Sequence, residues 1–484
     1  MKSIRKLFCL LLAAVSVFTA VPVLASQDSG EEASPSTLSQ WPEGPALQAE
    51  AGLLMDARTG TVLFSKHGEQ RMYPASITKL MTALLVLENC SLDETVTFSH
   101  AAVYSIEADS SHIGVQEGEE LTVEQCLYAL LLKSANEVAN GLAEHVAGSM
   151  SAFAEMMNNR AAQLGCTDTH FVNANGLHDE NHYTTAHDMA RIMQALVDNE
   201  TFTAISSADK YQIPPTNKTA ETRYLKQTHK MMCESDYTYE GTVSGKTGFT
   251  PEAGNTLVTY AKRGDLELIA VSLKSNWKHY DDTIAMFNYG FEQFSASDMS
   301  GSAAALEAVR EAVLAQAALD PETGTLSLNS DNWAILPDGI TADSLNAAVT
   351  LFPASQQASM DSTTIGTVTY LYNDVRLGTG TVSFSPVANS GSQTHETTPE
   401  TLSGPDTPTV KRSRSGFPVW LLVILILLVL ILLVLLILYL RNRSNRSSRN
   451  HRANRISQTK QAYKKRRRGT RHYLSKKDSY IDRK

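Results

Sequence analysis

Three short motifs of this chain supply the residue types that acyl transfer through a covalent serine requires. They are Ser76-Ile-Thr-Lys79, Ser134-Ala-Asn136 and Lys246-Thr-Gly248. The first offers a hydroxyl nucleophile and an amine that could activate it, the second another hydroxyl and an amide, and the third a second cation. This chemistry requires three segments that are far apart in the sequence to meet in one cleft.

The Ser-x-x-Lys pattern is common by itself, and its context distinguishes Ser76. A lysine also stands three residues after Ser207, Ser275 and Ser457. Pro74 and the apolar spacing that follows predict a helix beginning near Ser76, where free N–H groups and the helix dipole favour negative charge. Lys79 shares that helix face, and it can act as a base if burial and a neighbouring cation such as Lys246 lower its pKa. The alternative is an ordinary N-cap serine followed by a surface lysine.

The other two motifs are placed by the elements around them. Ser134 and Asn136 follow one apolar helical run and precede another, so we expect them at a break between helices. There Ser134 could relay a proton and Asn136 could bind a substrate amide, unless the segment is a plain helix cap. Lys-Thr-Gly occurs once, and its small residues would let a substrate backbone approach a strand edge. Lys246 and Thr247 could then hold a carboxylate, with a turn between strands as the alternative.

The arrangement of predicted elements indicates an α+β fold. Strands are predicted over 51–55, 61–65, 256–260 and 266–273, and helices from Ser76 and over 121–148, 151–164, 186–198 and 280–294. Strands at both ends of a region with helices between them usually form one sheet from distant segments. A helix over 301–318 and short strand-like runs within 323–386 predict a small β-rich domain.

Both ends of the chain carry membrane signals. A basic start, an apolar stretch and small residues at 23–25 predict a secretory signal cleaved after Ala25, with an uncleaved anchor as the alternative. Residues 419–440 contain no charge and are long enough to span a bilayer. Residues 441–484 then carry 17 Lys and Arg against two acids. The positive-inside rule places this tail in the cytoplasm and residues 26–418 outside, so that the chain would cross its membrane once.

The formal charge of −9 hides a strong asymmetry, because residues 26–440 carry −27 and the tail +15. An acidic exterior argues against nucleic acid as its partner. The basic block at 464–468 favours contact with anionic membrane lipid, and nucleic-acid binding by the tail is the alternative.

Cysteines and histidines leave two further questions. Four cysteines remain after signal removal, Cys90, Cys126, Cys166 and Cys233, and they allow three full pairings or free thiols. His178, His182 and His187 could ligate zinc, but the Asn- and Gly-rich sequence beside them favours a loop of solvated or hydrogen-bonded histidines. We expect neither a metal nor a cofactor.

With its three motifs in this order, the chain resembles the low-molecular-mass penicillin-binding proteins, the serine D-Ala-D-Ala carboxypeptidases. Other segments are also similar to family segments, namely 54–60, 74–82, 142–148, 175–177, 184–190 and 246–250. The resemblance covers roughly residues 46–296, and 301–386 is similar, more weakly, to the family's C-terminal β domain. It implies the serine β-lactamase/DD-peptidase-like fold, an antiparallel sheet with a helical subdomain.

The resemblance also implies the roles of the motif residues. Ser76 would be the nucleophile, Lys79 its base, and Ser134 an aid to proton transfer. Substrate would be bound by Asn136, Lys246, Thr247, Gly248 and Phe249, with the N–H groups of Ser76 and Phe249 as the oxyanion hole. The implied activity is removal of the last D-alanine from peptidoglycan stem peptides ending in D-Ala-D-Ala, and β-lactam antibiotics would acylate Ser76.

Two departures from the family pattern and two rival functions accompany this interpretation. Ala135 stands where the family usually has glycine, and many relatives have a surface-lying amphipathic helix in place of a spanning one. A class A β-lactamase would carry Asp at position 135 and a Glu-x-x-Leu-Asn motif some thirty residues on, and neither is present. A catalytically silent wall-binding or signalling protein is the other alternative, and the intact motifs argue against it.

The predicted organisation has seven parts. They are a signal peptide (1–25), a flexible N-terminal segment (26–45), a DD-peptidase domain (46–296), a helix with a small β-rich domain (297–386), a Ser/Thr/Pro-rich disordered stalk (387–418), a transmembrane helix (419–440) and a basic cytoplasmic tail (441–484).

Overall fold

The computed structural model describes residues 41–107, 109–316, 323–353 and 363–386. The predicted signal peptide, stalk, transmembrane helix and basic tail lie outside the described residues, as does most of the predicted N-terminal segment. Within the described ranges, none of the helices combines the length and the apolar character that a membrane span needs.

The described residues contain helices and strands that are numbered here in chain order. The helices are α1 Lys79–Asn89, α2 His100–Tyr104, α3 Val123–Leu132, α4 Asn136–Ala147, α5 Met150–Gln163, α6 Ala186–Val197, α7 Glu200–Ser206, α8 His279–Gln293 and α9 Ala303–Gln316. The strands are β1 Ala51–Asp56, β2 Val62–Lys66, β3 Thr95–Thr97, β4 Glu120–Thr122, β5 Lys210–Ile213, β6 Arg223–Lys226, β7 Thr242–Thr250, β8 Gly254–Arg263, β9 Leu266–Ser275, β10 Phe294–Asp298, β11 Gly324–Leu328, β12 Trp333–Pro337, β13 Asn346–Leu351, β14 Thr364–Tyr372 and β15 Val375–Pro386.

The central sheet joins strands from opposite ends of the predicted peptidase region. Its order is β2-β1-β9-β8-β7, and every neighbouring pair is antiparallel. Every residue of β1 is buried, since the sheet is covered on both faces, and near-continuous apolar runs are typical of such strands. The prediction of one sheet built from distant segments is confirmed. The prediction of a strand edge for the Lys-Thr-Gly segment is also confirmed, because β7 lies at the sheet's edge.

A helical layer, mainly α1, α3, α4 and α5, packs around one apolar core that includes Leu84, Leu130 and Phe153. The predicted break between two helices is confirmed and lies between α3 and α4. The predicted start of the first helix at 121 is wrong, because Leu121 belongs to β4, which pairs with β3. The helix begins only at Val123, since Thr122 and Gln125 form a reciprocal capping box.

The predicted β-rich region is a second antiparallel sheet in the order β10-β12-β15-β14-β13, with β11 also pairing β15. Helix α9 covers it through Val309 and Val313, which share a core with Val368 and Leu377. Strand β10 was not predicted; it follows α8 directly and pairs with β12. The four described cysteines are all free thiols.

Candidate active site

A strained turn presents Ser76 in front of helix α1. Residues Ala75–Thr78 form a single 3₁₀ turn, and Ala75 has a positive φ of 52°. A positive φ is unusual for alanine and is found mostly where surrounding structure enforces it. Here the Thr256 hydroxyl donates to the Pro74 carbonyl at 2.8 Å and ties the turn to strand β8. The predicted helix start near Ser76 is thus confirmed, with a 3₁₀ turn as its first part.

Lys79 reaches back from the first position of α1 to the Ser76 hydroxyl. Its Nζ atom lies 2.9 Å from Ser76 Oγ, 2.7 Å from Asn136 Oδ1 and 2.5 Å from the Asn175 carbonyl oxygen. The last two oxygens can only accept hydrogen bonds. A neutral Lys79 amine therefore directs its two N–H bonds to them and its lone pair to the Ser76 hydroxyl, which is the arrangement a general base requires.

Burial and charge favour that neutral form. Burial lowers the pKa of Lys79 well below its usual value, the charge of Lys246 lowers it further, and the Glu137 carboxylate opposes the shift. Lys246 is also fully buried, and burial lowers its pKa to about 7. Burial and the nearby charge thus favour a neutral Lys79 amine, whereas Lys246 is still partly cationic near neutral pH.

Ser134 lies in the short break before α4 with a positive φ of 57°. Its hydroxyl oxygen is buried and has no hydrogen-bond partner among the described residues. The neighbouring Asn136 is fixed by its backbone N–H, which donates to the Ser111 carbonyl at 2.8 Å. The structure thus joins Asn136 to Lys79 directly, whereas it shows no bond between Ser134 and either lysine.

The Lys-Thr-Gly segment runs along the Ser76 turn as part of the edge strand β7. A Cβ atom on Gly248 would lie 2.8 Å from the Ser76 backbone nitrogen and 2.4 Å from Thr256 Oγ1, so only glycine allows this approach. Lys246 Nζ donates to the Thr247 carbonyl at 2.7 Å. Phe249 is exposed, and its ring contacts Trp277 with centroids 5.6 Å apart.

The loop at 173–177 completes the site, and sequence reasoning assigned it no role. Asn175 accepts the Lys79 bond with its carbonyl and donates from its side chain to Asn140 at 2.9 Å. Gly176 has φ of 81°, and a Cβ there would lie 2.0 Å from the Ala75 carbonyl oxygen. The available signal was the Asn-Gly pair, which marks a backbone turn but gives no information on which side chain the turn will contact.

Glu137 is a second residue that sequence reasoning missed. It is 1% exposed, and its Oε1 atom accepts the Ile113 N–H at 2.7 Å. Its Oε2 atom has no hydrogen-bond partner among the described residues. A glutamate in the first turn of a helix is ordinarily read as a solvated partner of the helix dipole, so the sequence offered no signal of its burial.

The three histidines considered as zinc ligands contact different partners. His182 is buried, its Nδ1 accepts the Val172 N–H, and its Nε2 therefore donates to Thr78 Oγ1 at 2.8 Å. Burial lowers the pKa of His182 to about 3, so it is neutral. His178 packs edge-on against Tyr73, and His187 pairs with Glu69.

Comparisons with known proteins identify the family. The profile of the D-alanyl-D-alanine carboxypeptidase family, peptidase family S11, matches residues 38–276. The D-alanyl-D-alanine carboxypeptidase DacF of Bacillus subtilis is 30% identical over 298 residues, which cover 60% of this chain and 72% of DacF. The D-alanyl-D-alanine carboxypeptidase of Streptomyces sp. K15 is 31% identical over 293 residues, which cover 58% of this chain and 98% of the Streptomyces enzyme. The chain belongs to the D-alanyl-D-alanine carboxypeptidase family.

This D-alanyl-D-alanine carboxypeptidase is therefore a hydrolase of the serine peptidase type, and the expected resemblance and enzyme class are confirmed. A solved structure of the Streptomyces K15 DD-transpeptidase is 30% identical in sequence. The match covers 52% of this chain and 100% of the transpeptidase chain, with a TM-score of 0.48. Family membership rests on the sequence relatives and not on that likeness.

Proposed function

We propose that this carboxypeptidase removes the terminal D-alanine of peptidoglycan stem peptides through an acyl-enzyme on Ser76. The observation that carries the proposal is the position of the Lys79 amine. Its two acceptor-only neighbours, Asn136 Oδ1 and the Asn175 carbonyl, leave the nitrogen lone pair for the Ser76 hydroxyl at 2.9 Å. Such a contact activates a serine nucleophile.

In the first half of the reaction, Ser76 Oγ attacks the carbonyl carbon of the penultimate D-alanine and its proton passes to Lys79 Nζ. The backbone N–H groups of Ser76 and Phe249 stabilise the oxyanion. Lys246 and Thr247 bind the terminal carboxylate, and Asn136 binds the peptide amide. The C–N bond then breaks, and the leaving amine takes a proton from Lys79 by way of the Ser134 hydroxyl.

In the second half, water attacks the Ser76 ester. Lys79 accepts a proton from that water and returns it to Ser76 Oγ as the ester bond breaks. The shortened peptide leaves with a new carboxyl terminus. A β-lactam carries an acyl carbon and a carboxylate in the same relation as the D-Ala-D-Ala terminus, so penicillins acylate Ser76 and are released slowly.

We place this reaction outside the cytoplasm, in cell-wall maturation. The sequence supports this location through its signal-like start, the uncharged run at 419–440 and the basic tail at 441–484. The protein would cross the membrane once, with the tail against anionic lipid on the cytoplasmic side.

The test uses the full-length protein in detergent with a diacetyl-L-Lys-D-Ala-D-Ala tripeptide. Wild type should release D-alanine, and Ser76→Ala should lower the rate by at least about 10³-fold. Ser207→Ala is the matched control, because Ser207 also precedes a lysine by three residues but is exposed at the C-terminal end of α7, and its activity should be unchanged.

A fluorescent penicillin run on a gel separates the rival functions. The proposal expects stable labelling of wild type and of Ser207→Ala, and none of Ser76→Ala. Labelling without any D-alanine release would favour a silent penicillin-binding protein. Rapid penicillin hydrolysis without stable label would favour a β-lactamase.

A further inference from the structure

A cluster of metal-ligating side chains lies away from the active site, where helices α1 and α4 end. It consists of Cys90, Glu94 and His145, and their ligand atoms all lie within 4.8 Å of one another. We propose that these three residues bind one divalent ion of the zinc class. The inference does not depend on the proposed function, because none of the three takes part in it.

The ligand set and its spacing fit zinc. Thiolate, imidazole and carboxylate are the groups that Zn²⁺ takes in proteins, whereas Ca²⁺ and Mg²⁺ prefer oxygen alone. His145 Nε2 lies 3.1 Å from Glu94 Oε2. Two ligands about 2.0–2.1 Å from a tetrahedral ion are separated by about 3.3 Å, so this edge of the site is already formed. The Cys90 sulfur lies within 4.8 Å of both other ligand atoms. It would need to move closer to them by at most about 1.3 Å, and water would take the fourth position.

The backbone around the cluster is held in place before any ion arrives. The Ser91 N–H donates to Glu94 Oε1 at 2.6 Å, which leaves Oε2 directed at His145. The first two N–H groups of α3 hold the segment between Cys90 and Glu94. The Val123 N–H donates to the Glu94 carbonyl at 2.9 Å, and the Glu124 N–H donates to the Leu92 carbonyl at 3.0 Å. Outer hydrogen bonds of this kind orient metal ligands.

The site also lies in a negative region of the backbone. Helix α1 ends at Asn89, directly before Cys90, and His145 stands in the last turn of α4. Helix C-termini carry partial negative charge and favour a cation. The ion would join these two helices about 14–17 Å from their first residues, Lys79 and Asn136, whose side chains already join them at the active site. Its expected effect is on stability and not on catalysis.

Cobalt is the probe for the experiment, because a thiolate bound to Co²⁺ produces a charge-transfer band in the near ultraviolet. The full-length protein in detergent is freed of metal with a chelator and titrated with Co²⁺. Wild type should give a band that saturates at one ion per chain and is removed by Zn²⁺. Cys90→Ser and His145→Ala should lose the band. Cys233→Ser is the matched control, since Cys233 is another half-buried free thiol, and it should keep the band.

Two further measurements separate metal binding from misfolding. A cooperative thermal unfolding transition of metal-free Cys90→Ser, close to the midpoint of the metal-free wild type, shows that the variant is folded. Zn²⁺ should raise the thermal unfolding midpoint of wild type and of Cys233→Ser but not that of Cys90→Ser. The inference is overturned by a wild type that gives no saturable band, or by an equal band in a folded Cys90→Ser.

Discussion

Lys246 is the residue whose burial has the most direct consequence for the pH dependence of the enzyme. Its pKa of about 7 means that it loses its positive charge, and with it the attraction for a substrate carboxylate, as the pH rises through neutrality. Lys79 acts in the opposite sense, because it must be neutral to accept a proton from Ser76. The profile of kcat/KM against pH should therefore be bell-shaped, with Lys79 on its acid limb and Lys246 on its alkaline limb.

Lys246→Arg tests the assignment of the alkaline limb. A guanidinium stays charged throughout the accessible pH range, so the fall in kcat/KM should move upward by at least about 2 pH units even if the maximum is lower. The exposed Lys226→Arg is the control and should keep the wild-type profile. An alkaline limb with the same midpoint in Lys246→Arg would contradict the role of Lys246.

Glu137 affects the acid limb of the profile of kcat/KM against pH, through its charge near Lys79. Its buried carboxylate favours the charged form of Lys79 and so opposes the fall in the pKa of that amine. Glu137→Gln keeps an acceptor for the Ile113 N–H and removes the charge, so the acid limb of kcat/KM should shift to lower pH by about 0.5–1 unit. Glu155→Gln, an exposed acid on α5, should shift nothing. An unmoved acid limb in Glu137→Gln would show that Glu137 serves only to hold the loop near 113.

At the scale of elements, the activity depends on the contact between the Ser76 turn and the loop at 173–177. Gly176→Ala should push these segments apart, because a Cβ there meets the Ala75 carbonyl oxygen at 2.0 Å. The Asn175 carbonyl would then leave Lys79, and the rate of penicillin acylation should fall by about 10²-fold. Gly148→Ala is the matched control, since its φ is 74° but open space surrounds it. It should cost about 1 kcal/mol of stability and leave acylation unchanged. Equal acylation rates in both variants would refute the contact.

The elements differ in how well the sequence foretells them. Strands β1, β8 and β9 and helices α6 and α8 have strong apolar patterns, and their predictions are confirmed within three residues of the observed ends. The three-residue strands β3 and β4 are too short to show a period. The Ser76 turn could be placed near a helix start, but the positive φ at Ala75 and Ser134 could not be foreseen. Neither residue type favours that conformation, and distant segments impose it.

At the scale of the whole molecule, a few specific contacts between described residues join the two large sheets. The Arg58 guanidinium, next to strand β1, lies 4.0 Å from the centre of the Trp333 ring on β12 and bonds Glu267 at 3.0 Å. Arg376 on β15 donates to the Thr59 carbonyl at 2.9 Å. Ile335 of β12 is buried in the apolar cluster between the central sheet and α8. These contacts lie outside the active site, so we expect them to affect stability rather than turnover.

Trp333→Ala tests whether the contacts between the two large sheets affect stability and not turnover. Loss of the ring removes a half-buried cation–π contact worth about 1–2 kcal/mol and exposes Arg58, so the thermal unfolding midpoint should fall by a few degrees. D-alanine release below the transition should remain at the wild-type rate, because Ser76 and Lys79 are positioned by β7, β8 and α4. Tyr224→Ala is the control, since this aromatic side chain on β6 is 73% exposed, and its midpoint should not change. A loss of D-alanine release in folded Trp333→Ala would instead mean that the second sheet helps to shape the catalytic cleft.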